Sequence, residues 1–200
     1  MLRAPTTPGA RRTLERILDA ALDLFNTSGS AAVTTNHIAA AAGVSPGNLY
    51  YWFRDKDEIV RELYARLVAE YEVTWAAGAH DAVELSPHDL LDRLAAGAEL
   101  TRRYAFLGRD LLGLLHADPV LAAQYKVVRA GRLATFMAIA RRWRADGTIR
   151  PIGDHELADL VQAVWILAET WFAFVELDDP DPAADDGARL LRVVLAPYLG

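Results

Sequence analysis

The side chains whose types and spacing can do chemistry crowd into one stretch, TTNHIAAAAGVSPGNLYYWF at residues 34–53. Thr34, Thr35 and Asn36 stand together at its start, Gly47, Asn48, Tyr50 and Tyr51 follow after a turn, and Lys56 lies just beyond. Hydroxyls, an amide and an ammonium are hydrogen-bonding groups suited to phosphate oxygens and base edges. Catalytic patterns are missing from the sequence. The histidines at 37, 80, 88, 116 and 155 form no H-E-x-x-H pair, and there is no G-x-S-x-G elbow, P-loop or dinucleotide glycine fingerprint. The acidic run DDPDPAADDG lacks the alternating ligands and closing glutamate of a calcium loop. With no cysteine, disulfides and thiolate metal sites are excluded, which fits a reducing cytosol. We therefore expect no enzyme, no cofactor and no bound metal.

The elements that must position these residues are helices. No alternating β-branched run is flanked by hairpin turns, so the chain reads as all-α. Leu14, Ile17, Leu18, Ala21, Leu22 and Phe25 recur at helical steps, and the run stops at Ser28-Gly29. A short second helix begins with Thr35 as its expected cap and ends at Gly43. Ser45-Pro46 opens a third that reaches about Trp52. Asp55 caps a fourth, with Glu58 three residues on, and it runs to about Ala77. A connector from Gly78 leads to Ser86-Pro87 and a fifth helix ending near Arg103. Four more are expected: about Tyr104 to His116, Asp118 to Arg144, Asp154 to Leu177 and Pro182 to Leu199, nine in all. Asp146-Gly147, Pro151 and DDPDPAADDG mark turns.

Stepping about 100° per residue along the third helix puts Pro46, Leu49 and Phe53 on one side. That side can pack on Phe25, Ile38, Ala39, Ala42 and Val44. Gly47 and Tyr51 face the opposite way, flanked by Asn48 and Tyr50. Two short helices joined at Gly43 make a helix-turn-helix, a unit whose second helix commonly lies in the DNA major groove. Exposed tyrosines then have a partner in DNA. Thr34, Thr35 and Asn36 sit at a helix N-terminus, where backbone N–H groups and the dipole favour a phosphate. Lys56 occupies a helical first turn that disfavours a cation, so a nearby phosphate would account for it.

Charge agrees with this division. The net charge is −6, yet residues 1–60 hold six positive and six negative side chains, leaving the deficit to the remainder. A polyanion would meet the front of the chain. MLRAPTTPGARR has no secretory apolar run. The segment LVQAVWILAETWFAFVEL, Leu160 to Leu177, nearly matches a membrane span but carries Gln162, Glu169 and Glu176, so we expect a buried helix and no membrane association.

Residues 11 to about 60 resemble the DNA-binding domain of the tetracycline-repressor (TetR) family. The resemblance rests on FNTSG, the threonine pair, IA-x-x-AGVS, LYYWF and K-[DE]-x-[ILV] at the family's spacing, over about a quarter of the chain. It implies a cytoplasmic homodimeric repressor that binds a palindromic double-stranded DNA operator and is released by a small effector. Thr35, Asn36, Ser45, Gly47, Asn48, Tyr50, Tyr51 and Lys56 match family DNA contacts; Asn36 replaces a longer basic side chain of some members. The expected division is a flexible arm at 1–10, whose Arg3 and the following Arg11 and Arg12 could reach the minor groove, a reader at 11–54, and an effector-binding and dimerising remainder at 55–200.

The resemblance places a ligand pocket on the fourth to seventh helices, where Tyr64, Leu67, Tyr71, Trp75, Tyr104, Phe106, Leu111, Leu115, Phe136 and Met137 are candidates. Arg103 and His116 are candidate polar anchors for a largely apolar effector. The eighth helix is apolar nearly all round: Leu160, Val164, Leu167, Trp171 and Val175 make one stripe, and Val161, Trp165, Ala168 and Phe172 another. One stripe serves its own domain and the other a symmetry mate. We assign the second to the dimer interface, with Leu191, Val194 and Leu195 of the ninth helix. The rival readings are a helical protein-interaction adaptor using this tryptophan-rich helix, and a regulator without an effector.

Overall fold

A computed structural model describes residues 5–76, 85–179 and 186–199. Arg3, the connector from Gly78 as far as residue 84, and the middle of DDPDPAADDG lie outside the described residues. Among those described, nine helices and no strand occur: α1 (Pro8–Ser28), α2 (Thr35–Ala41), α3 (Pro46–Trp52), α4 (Lys56–Ala76), α5 (Pro87–Arg103), α6 (Ala105–Ala117), α7 (Pro119–Ala145), α8 (Asp154–Val175) and α9 (Asp186–Leu195). The fold is all-α, as the sequence indicates.

Caps set the boundaries. Ser45, Ser86 and Asp118 each accept a backbone N–H of the helix they precede, and a proline follows each at the first helical position. Thr7 does the same for α1, accepting from the Ala10 N–H at 3.1 Å. The expected arm at 1–10 is therefore cut short: Pro8 opens a helix instead of breaking one, because its missing N–H falls where none is needed. α9 ends earlier than expected. After Leu195 the chain turns, the Arg150 N–H donates to the Tyr198 carbonyl at 2.8 Å, and Ile149 pairs with Leu199 as an isolated bridge.

One apolar cluster joins the front of the molecule to its middle. Ile17, Phe25, Ile38, Leu49 and Phe53 are sealed from solvent together with Ile59 and Leu63 of α4, Phe106 of α6 and Leu121 of α7. The Phe25 and Phe106 ring centroids lie 5.1 Å apart. The cluster does not stop at residue 54.

Polar contacts reinforce that junction. The Asn26 amide donates to the Arg103 carbonyl at 2.8 Å and accepts the Phe106 N–H at 3.0 Å, so it bridges the break between α5 and α6. Arg109 donates to the Asn26 carbonyl, and Asp110 accepts from the Ser30 N–H and hydroxyl. Arg61 pairs with Asp118, and Arg66 with Asp19, each at 2.6 Å. α6 is thus fixed to α1.

α8 is long and apolar enough to cross a membrane by length and composition. Leu157, Leu160, Val161, Val164, Trp165, Trp171 and Phe172 are nevertheless buried among neighbouring helices.

Candidate functional site

The turn between α2 and α3 is built by Gly43, whose φ of +63° would strain any other residue. Its N–H donates to the Ala40 carbonyl and that of Val44 to Ala39. Arg16, on α1, donates to the Ala42 and Gly43 carbonyls and so fixes the turn from outside.

α2 begins one residue earlier in its capping than expected. Thr34, not Thr35, is the N-cap: its hydroxyl accepts from the His37 N–H, and the His37 ring accepts from the Thr34 N–H in return. Thr35 is thereby released for a different bond, a 2.9 Å contact between its hydroxyl and that of Tyr50. This bond ties the start of α2 to the outer face of α3.

α3 divides sharply between its faces. Leu49 and Phe53 are fully buried, while Tyr50 and Tyr51 are each about half exposed, at 52% and 51%. Gly47 and Asn48 are exposed beside them. Trp52 is buried at 8%, edge-on to Tyr51, so two rings of this run are displayed. Pro46, expected on the packed side, is exposed.

Ser45 and Lys56 are engaged within the protein. The Ser45 hydroxyl accepts the Asn48 N–H at 3.2 Å. Lys56 Nζ donates to the carbonyls of Ser30 at 2.6 Å and Val33 at 3.0 Å. The cation at this first turn needs no phosphate to explain it, since it satisfies two carbonyls of the α1–α2 loop. At the head of α4 the Glu58 N–H donates to Asp55, as expected, but the Glu58 carboxylate reaches the Arg54 N–H instead of closing the box on Asp55.

A second site lies behind the reader. Two adjoining chambers open among α4, α5, α6, α7 and α8. The outer, about 600 Å³, is lined by residues that include Glu72, Trp75, Leu94, Val127, Gly131, Thr135 and Phe136. The inner, about 70 Å³, reaches Tyr64, Leu67, Thr101, Tyr104, Leu107, Gly108, Leu111, Tyr125 and Arg129. Val68, Tyr71, Val128, Arg132, Trp165, Ala168 and Glu169 line both and form the neck.

Of the pocket candidates, Tyr64, Leu67, Tyr71, Trp75, Tyr104, Leu111 and Phe136 line the chambers, whereas Arg103, Phe106, Leu115, His116 and Met137 do not. Phe106 is sealed against Phe25, and Leu115 packs on the same front cluster. Met137 packs with Ala140, Leu157 and Val161. Arg103 pairs with Glu70 at 2.8 Å, and the exposed His116 ring meets the Leu112 carbonyl. Helical spacing alone does not give the side that each presents.

The dimer assignment fares differently. Val161, Trp165 and Phe172 are buried within this one chain, as are Leu191 and Leu195, with Val194 partly so. Trp165 and Ala168 belong to the neck of the cavity. The stripe left uncovered on α8 contains Ile166 and Phe174, 53% and 68% exposed, and α9 adds Val193 at 67%.

Sequence reasoning missed Glu169, Arg132 and Tyr125. Tyr125, Trp165 and Glu169 line the same chamber. Burial pushes Glu169 above the usual carboxylate range, against the opposing fields of Arg132 and Arg129. Burial likewise raises Tyr64 and Tyr71, and raises Tyr104 to about 12 with help from its bond to Glu70. An acid inside an otherwise apolar helix was the available signal.

A family model described as TetR, bacterial transcriptional repressor, matches residues 70–200, and one for bacterial regulatory proteins of the tetR family matches residues 17–63. The chain belongs to the TetR family of bacterial transcriptional regulators. It is 39% identical over 59 residues to the HTH-type transcriptional regulator AcrR of Shigella flexneri, a match covering 30% of this chain and 27% of that protein. A match at 30% identity to the uncharacterized HTH-type transcriptional regulator TtgW of Pseudomonas putida covers 59% of this chain and 91% of that one. A solved TetR-family regulator from Marinobacter aquaeolei VT8 superposes with a TM-score of 0.81 at 29% identity, over 93% of this chain and 90% of that chain.

Proposed function

We propose that the chain is a homodimeric, effector-released repressor that acts in the cytoplasm. In this reading residues 11–54 form the reader and 55–200 sense the ligand and dimerise. The observation that carries it is the outer face of α3, where Gly47, Asn48, Tyr50 and Tyr51 stand exposed on a helix whose other side is sealed. Thr35 and Asn36 extend this face across the start of α2. Thr34, Ser45 and Lys56 support it by positioning: their side chains hold the ends of α2, α3 and α4, and phosphate is left to the backbone N–H groups those caps present.

The exposed Ile166, Phe174 and Val193 favour a dimer through the outer side of α8 and α9, in place of the stripe that contains Trp165. A two-fold pair would present its α3 helices to half-sites about 34–36 Å apart.

Release follows from the junction. The inner chamber has one wall on α4 and another on α6, and both helices are tied to the reader, α4 by the chain and α6 through Asn26 and Asp110. A ligand that fits one spacing of these walls better than another shifts the reader by no more than its differential affinity for the two.

The test is selection of bound fragments from random duplex DNA, followed by Tyr51→Ala on the enriched site. A palindromic motif and a loss of about 1–3 kcal/mol in operator binding are expected, with dimerisation retained. Wild-type affinity in the variant removes Tyr51 from the interface. No enrichment at low salt by folded protein moves the function to a protein-binding adaptor.

A further inference from the structure

Two glycines border the cavity where side chains would be expected. Gly108 on α6 lines the inner chamber and Gly131 on α7 lines the outer, both in helix interiors where alanine is the more stable choice. A Cβ at either would meet nothing within 4 Å. Close packing does not require them, and both leave room in the cavity.

The neck between the chambers has a defined chemistry. Glu169 is its acid and lines both chambers. Two guanidiniums share the lining and have partners of their own: Arg132 lies over the Tyr71 ring, 4.7 Å from its centroid, and Arg129 donates to Gln162 at 3.0 Å. Their fields do not overcome the burial of Glu169, whose carboxylate stays above its ordinary range. A second acid, Glu72, lines the outer chamber. Tyr64, Tyr71, Tyr125 and Trp165 line the same chamber. A carboxylate together with aromatic faces compensates the lost hydration of a cation, by charge and by ring quadrupole. An anionic head would face Glu169 and would have to draw Arg132 off Tyr71.

We infer that this cavity takes an organic cation with an apolar body. Its positive head sits in the neck beside Glu169, a short arm passes Gly108 against α6, and the remainder fills the outer chamber. The regulatory meaning rests on the effector reading above, whereas the binding stands without it.

The experiment titrates the full-length protein with three probes of one chain length, decyltrimethylammonium, decanol and decanoate, each below its micellar concentration. Tryptophan fluorescence reports occupancy because Trp75 and Trp165 line the cavity. The cation is expected to bind at least about tenfold more tightly than either partner. Glu169→Gln should abolish that preference and Glu169→Asp should keep it. Gly108→Ala should weaken the cation while leaving the charge preference intact. Equal or tighter binding of decanoate or decanol, no binding by any probe, or an undiminished preference in a folded Glu169→Gln variant overturns the inference. Cation binding that leaves the operator bound supports the inference and overturns the effector reading instead.

Discussion

In the front of the molecule Ile17, Phe25, Ile38, Leu49 and Phe53 are all at 0% exposure, whereas behind it Tyr71, Trp75, Phe136 and Trp165 border a space of about 600 Å³. Both regions are helical and rich in aromatic residues, so composition does not separate them. The difference lies in what their polar residues do. Ser45, Lys56 and Arg16 satisfy backbone groups and hold short helices in one arrangement, while Glu169 and Arg132 are held at a void. A reader needs one geometry; a sensor needs unfilled volume. The largest test of this contrast is a pair of truncations. Phe53→Ala should cost about 3–5 kcal/mol in urea unfolding, because a sealed site cannot collapse around the lost ring. Phe136→Ala, at a wall already facing open space, should cost less than about half of that. Equal losses would mean that the cavity walls bear on stability as the front core does.

Next in size is the junction between the two regions. Asn26→Ala leaves the Arg103 carbonyl and the Phe106 N–H without their bridge, at a cost of about 1–3 kcal/mol. Its sharper effect is on communication. The variant should retain operator binding and probe binding while losing most of the ligand's effect on the operator, measured as the shift in DNA affinity at saturating ligand. A full shift in the variant would assign the coupling to α4 alone.

These differences also explain what could be read from the sequence. Caps are local: Ser45-Pro46 and Asp55 with Glu58 act within three residues, so the starts of α3 and α4 were legible. Arg16 reaching the turn at Gly43, Lys56 reaching Ser30 and Val33, and Asn26 reaching α6 are contacts between distant positions, which periodicity does not encode. The pocket candidates divide by face, with Tyr71 and Phe136 on the cavity and Met137 turned away. α8 was the hardest case, because a helix apolar on two sides leaves open which side meets its own domain. Trp165 meets the cavity, and Ile166, one step of about 100° away, stays in solvent.

Glycines give a smaller test with opposite signs in the two regions. Gly43→Ala places a Cβ at positive φ and 3.1 Å from the Arg16 guanidinium, so a loss of about 1–2 kcal/mol is expected. Gly131→Ala, with open space at its Cβ, should instead stabilise by about 0.4–1 kcal/mol. Thermal melts of the two variants read this directly. A destabilised Gly131→Ala would show that α7 is packed more closely there than its open surroundings indicate.

The smallest effect concerns the charge at the neck without ligand. Burial raises the Glu169 carboxyl above its ordinary 4.5, so the folded state binds its proton more tightly than the unfolded chain does. The stability this provides is complete below the unfolded value and is lost as pH rises through the folded one. Above that point the wild type holds a buried, incompletely compensated carboxylate, whereas Glu169→Gln holds a neutral isostere. The melting temperature of the variant relative to wild type should therefore rise between pH 4 and neutrality and then level off. A difference that stays flat with pH, or a variant less stable than wild type at pH 8, would mean that Arg132, Arg129 and Tyr125 already balance the charge. The neck would then be a finished ion network like the one joining Asp19, Arg66 and Glu70 at the reader's edge, and the contrast between a completed front and an incomplete sensor would fail at its central residue.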